Sequence, residues 1–96
     1  MSTWTDEAEL LRITGELLLA AGVDRAEADE AFRSAITIAR DQGAPMLVLR
    51  SAICLVRGTD AADHPTRLNL LRQALWAVRD ESPMPEQAEA AALLAE

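Results

Sequence analysis

The chain has 96 residues, half of them apolar, and its nine basic and sixteen acidic residues leave a net charge of −7. A chain of that length holds one domain with a small core, whose surface burial is marginal without help from a neighbour. Its charge repels a phosphate backbone, and the bases, all Arg and scattered singly, form no basic patch, which excludes a nucleic-acid reader.

Aromatic residues are scarce, with only Trp4, Phe32 and Trp76, while Ala and Leu dominate, a balance that favours close helix packing over a sheet. The sequence therefore predicts an all-α fold. No apolar run approaches the roughly twenty residues that span a bilayer, and the N-terminus lacks the basic and apolar segments of a signal peptide. The lone Cys54 lies in an apolar run and suits a reducing compartment. The expectation is a cytoplasmic protein.

In chain order, Thr3 with Asp6 resembles a capping box and opens a first helix that runs to Ala21, where Gly22 takes the C′ position. Its predicted inward stripe is Leu10, Leu11, Thr14, Leu17, Leu18 and Ala21. Asp24 with Glu27 repeats the capping pattern and starts a second helix, turned inward through Ala28, Ala31, Phe32, Ala35, Ile36 and Ala39, as far as Gly43. The short link makes the two antiparallel neighbours.

Pro45 sits in the first turn of a third helix that ends at Arg57 before Gly58. Its polar residues, Arg50, Ser51 and Arg57, share one narrow arc, and apolar residues cover the rest of its girth, so it needs cover on several sides. After the longest link, residues 59 to 63, Asp63 or His64 caps a fourth helix with Pro65 in its first turn and Leu68, Leu71, Ala74, Leu75 and Val78 inward. The segment from Ser82 to Pro85 breaks the chain, and a short Ala-rich fifth helix, bulky only at Leu93 and Leu94, follows as a cap.

The hairpins repeat. Gly15 aligns with Ala52 and Ala35 with Ala74. Leu11, Thr14, Gly15 and Leu18, followed by Ala28, Phe32 and Ala35, have the spacing of the tetratricopeptide pattern, in which small residues let two helices approach and Phe32 fills the wedge toward the next hairpin. The chain departs from it in having Leu11 and Leu18 where aromatics stand, one extra inter-helix residue, and Arg40 in place of the closing Pro. The expected architecture is a right-handed tetratricopeptide-like solenoid over residues 1–96, with hairpins at about 3–43 and 45–80 and a capping helix at about 85–95.

Residues 9–19, 26–44, 49–56 and 85–96 resemble the C-terminal helical repeat region of large bacterial regulators, proteins with a predicted ATPase domain and a nucleotide-cyclase or helix-turn-helix part. The resemblance implies sensing or assembly. It implies no chemistry, since the chain has no phosphate-binding glycine loop and no cyclase segment.

Asp60, Asp63 and His64 could ligate a metal by residue type, but helix capping explains them, and the only Cys and only His share no orienting motif. No cofactor and no catalysis are expected. Glu7, Glu9, Glu16, Glu27 and Glu30 fall on faces predicted to be solvated. In a repeat of this kind the first helix of each hairpin lines the concave surface, which puts Glu9, Arg12, Glu16 and Leu19 there in the first unit and Met46, Leu49, Ile53 and Val56 in the second. Three occupants fit that apolar row: the fifth helix folding back, a second copy or another protein, and a peptide or small ligand. The function expected is a protein-interaction or oligomerisation module of a bacterial regulatory system. The alternative is a domain that senses a small ligand or peptide through the same groove.

Overall fold

A computed structural model of the chain describes residues 3–22, 25–57, 64–81 and 84–95, with side chains from Glu7 in the first helix and from Pro65 in the fourth. Among the described residues the fold is all-α: α1 Thr3–Ala20, α2 Arg25–Asp41, α3 Pro45–Arg57, α4 His64–Ala77 and α5 Pro85–Ala95. Each helix packs on the next in sequence, and α3 also touches α1 on one side and α5 on the other.

The ends of the helices follow from local chemistry. Gly22 and Gly43 take positive φ values of 68° and 66°, the left-handed conformation that a side chain disfavours. At Gly43 the turn is a Schellman motif, with the amide of Ala44 donating to the Ala39 carbonyl (2.9 Å) and that of Gly43 to the Arg40 carbonyl (3.0 Å). Met84 caps α5: its amide donates to the side-chain oxygen of Gln87 (2.7 Å), three residues on, with Pro85 between them at the first helical position. The amide group of Gln87 donates in turn to the Val78 carbonyl (2.9 Å), which ties the start of α5 to the end of α4.

One apolar cluster joins all five helices. Ala28, Phe32, Ala35, Ile36 and Ala39 of α2 are buried as predicted, as are Leu71, Ala74 and Val78 at the end of α4. Gly15 lies against the ring of Phe32, where an added Cβ would stand 2.5 Å from the ring edge. Phe32 therefore packs on its own hairpin partner, not only in the wedge toward the next hairpin.

That contact rotates α1 away from the predicted stripe. Ala8 and Gly15 are buried, and Leu11, Leu18 and Leu19 are half-buried; Leu10, Thr14, Leu17 and Ala21 face solvent. Leucines occur on nearly every side of α1, so periodicity alone could not choose between its faces.

Among the described residues two polar ones are buried. Ser51 is buried on α3, inside the arc predicted to be polar. Arg67 of α4 is 5% exposed; it pairs with Asp29 of α2, to whose Oδ1 it donates at 3.0 Å, and donates to the Leu55 carbonyl at 3.2 Å. This ion pair joins elements far apart in sequence, and no local spacing announces it.

Candidate interaction surfaces

The side-by-side α1, α3 and α5 share a concave polar face. There a cavity of about 290 Å³ is lined by Arg12, Glu16, Arg50, Ile53, Cys54, Arg57, Glu86 and Glu89. Arg12 sits between Glu9 (3.0 Å) and Glu16 (2.9 Å), one turn to either side on α1. Arg50 of α3 joins Glu86 of α5 (2.7 Å) to Glu9 of α1 (3.6 Å), so one guanidinium links three helices. Arg57 pairs with Glu89.

These contacts shift protonation. The hydrogen bond from Arg12 holds the Glu9 carboxyl below its ordinary value and pushes the guanidinium of Arg12 up. Glu86 is lowered too, first by its own backbone amide in the opening turn of α5 and then by Arg50. Burial, with the nearby Glu16 carboxylate, pushes the Cys54 thiol up to about 12, and Cys54 donates its proton to Glu16 at 3.1 Å. The thiol is therefore held in its unreactive form, and the charges on this face are spent on one another.

Among the described residues no group of three His, Cys, Asp or Glu side chains lies close enough to hold a metal. Asp60 and Asp63 fall outside the described residues, as does the side chain of His64.

The structure does not gather the predicted surface into one patch. Arg12, Glu16 and Ile53 line the concave cavity. Leu49 and Val56 are buried in the core, Ile53 is 3% exposed, and Leu19 and Met46 are half-buried against the same cluster. Of the occupants weighed for the α3 row, the chain itself is the one seen: α5 docks on α3, and its Ala90 is fully buried. Of the glutamates expected on solvated faces, Glu9 is half-buried in its ion pairs.

Exposed apolar surface lies elsewhere, in two places. On α1, Leu10, Ile13 and Leu17 are 63%, 41% and 64% exposed and fall on one side of the helix. The hydroxyl of Thr14, beside the same arc, donates to the Leu10 carbonyl (2.7 Å), so Thr14 presents no unpartnered donor there. At the other end, Trp76 is 67% exposed beside a cleft of about 590 Å³ lined by Arg72, Leu75, Trp76, Arg79, Gln87 and Leu94. The guanidinium of Arg79 stacks 4.1 Å from the centre of the Trp76 ring and donates to the Trp76 carbonyl (2.9 Å). Trp76 itself carried a sequence signal: a lone Trp outside the predicted inward stripe of α4 is either exposed or bound.

Compared with protein-family models, curated proteins and solved structures, the chain matches none. No helix among the described residues is long and apolar enough to cross a membrane.

Proposed function

We propose that the chain is a protein-interaction or assembly module, built as a short tetratricopeptide-like solenoid and serving a bacterial regulatory system in the cytoplasm, with no catalysis of its own. One observation carries this: the outer face of α1 presents Leu10, Ile13 and Leu17 to solvent in a helical row. Such a continuous row on a small protein marks a docking surface more often than scattered apolar residues do. The packing supports the solenoid form. α3 touches both α1 and α5, α2 and α4 pack against these helices, and the 19 Å depth suits two helix layers spaced ~8–10 Å apart.

The chemistry of the concave face also favours binding over catalysis. Its carboxylates are paired with arginines and its thiol is held protonated, which leaves no poised base or nucleophile among them. A small ligand directed at the α3 row would have to displace α5, since Leu49, Ile53 and Val56 are covered.

The test places a photo-crosslinking amino acid at Ile13 and, as a control, at the exposed polar Thr37 of α2. Irradiation at high protein concentration, and in a bacterial lysate, should give polypeptide adducts from position 13 and none from position 37. No adduct from position 13 under either condition would overturn the reading.

A further inference from the structure

We infer that copies of this chain join head to tail, the outer row of α1 in one copy seating in the α4–α5 cleft of the next; this rests on the interaction-module reading above.

The two surfaces lie at opposite ends of the chain of contacts. α1 packs on α2 and α3 alone, while the cleft is built from α4 and α5, which do not touch α1. One copy can therefore use both without competition. Their shapes suit each other as ridge and groove. Residues 10 to 20 of α1 carry no charge within roughly 120° of the helix wheel, a ridge ~15 Å long. Leu75 and Leu94 lie in the cleft beside Trp76, and Trp76 is steadied by its stack with Arg79.

Charge selects the pairing. Of the charges of α1, Glu9, Arg12 and Glu16 pair on the concave side, away from the row, whereas the exposed Glu7 stands one turn before Leu10 at the head of the row, with Asp6 next to it in sequence. Between His64 and Arg79 there are three arginines and no acid, on a chain whose net charge is −7. Arg67 is buried against Asp29, which leaves Arg72 and Arg79 at the cleft. The described partner of Arg72 is the neutral Asn69 (3.2 Å), and Asp80 stands 4.0 Å from Arg79 and offsets it only in part. Two α1 rows face to face would appose two acidic helices, and two clefts would appose Arg72 and Arg79 with their copies. Only the head-to-tail contact sets acidic helix against basic cleft.

Such a contact is heterologous, so it propagates unless its rotation closes a ring. Added salt should weaken it by screening its charged margins.

The experiment uses two surface variants of the full chain, Leu17→Glu to block the head and Trp76→Glu to block the tail, each checked for wild-type helicity and melting. Leu10→Glu replaces the first should it misfold. By light scattering, the wild-type mass should rise with concentration beyond two chains, each variant alone should stay at one chain, and an equimolar mixture should form a pair and stop there. Dimers of Trp76→Glu with none of Leu17→Glu would overturn the head-to-tail contact in favour of α1 pairing with itself. A mixture that stays monomeric, or a wild type monomeric at every concentration, would overturn it as well. In either of those cases adducts from position 13 to other proteins would leave the interaction reading standing, and their absence would remove both.

Discussion

α1 and α2 belong to one hairpin and have nearly the same length, yet they use their apolar residues in opposite ways. α2 buries Phe32 and Ile36 and surrounds them with alanines, whereas α1 turns a glycine and an alanine inward and leaves Leu10, Ile13 and Leu17 outside. The space left by Gly15 is what admits the Phe32 ring, and the depth of that contact sets the rotation of α1 about its own axis. A small residue in the core thus determines which large residues reach the surface. Within the hairpin, α2 supplies the large buried side chains and α1 the exposed apolar ones.

Several substitutions would break this contrast. The largest effect is expected from Phe32→Ala, which empties the buried centre of the hairpin and should cost about 3–5 kcal/mol in urea unfolding. Asp29→Ala comes next. It takes the Asp29 carboxylate away from a guanidinium that is 5% exposed and should cost about 3 kcal/mol, while Asp29→Asn, which keeps an acceptor, costs less.

Gly15→Ala should cost about 1–2 kcal/mol. The clash with Phe32 outweighs the gain of roughly 1 kcal/mol that alanine brings to a helix interior. If the clash is the cause, combining it with Phe32→Leu should give less than the sum of the two losses.

Stability should also depend on pH at both extremes. Glu9 and Glu86 have folded values below the ordinary 4.5, so the stability they contribute is present above that pH and is lost as pH falls through their lowered values. Cys54 is raised from 9.0 to about 12, so its contribution is present below pH 9 and is lost as pH rises toward 12. Melting temperatures measured across pH should show both limbs, and Cys54→Ala should flatten the alkaline one.

Much of this fold was legible in the sequence. The glycine stops at Gly22 and Gly43 and the buried face of α2 follow from capping chemistry and helical spacing. Arg12 and Glu16, placed on the candidate surface by aligning Gly15 with Ala52, line a cavity with residues of α3 and α5. What could not be read depends on contacts between distant segments. α1 carries leucines on opposing faces, and only the meeting of Gly15 with Phe32 decides between them. Arg67 looks like any other surface arginine until Asp29 comes to it from α2. The α3 row was recognised as needing cover, but whether α5 or a partner supplies that cover is a tertiary outcome.

The central claim is that the outer row of α1 is a docking surface for a second copy of the chain and not misplaced core. It is tested most directly by the solution mass of the wild type and of Leu17→Glu over a hundredfold dilution. The account predicts that the wild-type mass climbs with concentration while the variant, its stability within about 0.5 kcal/mol of wild type, stays at one chain. Equal masses for the two at every concentration would contradict it.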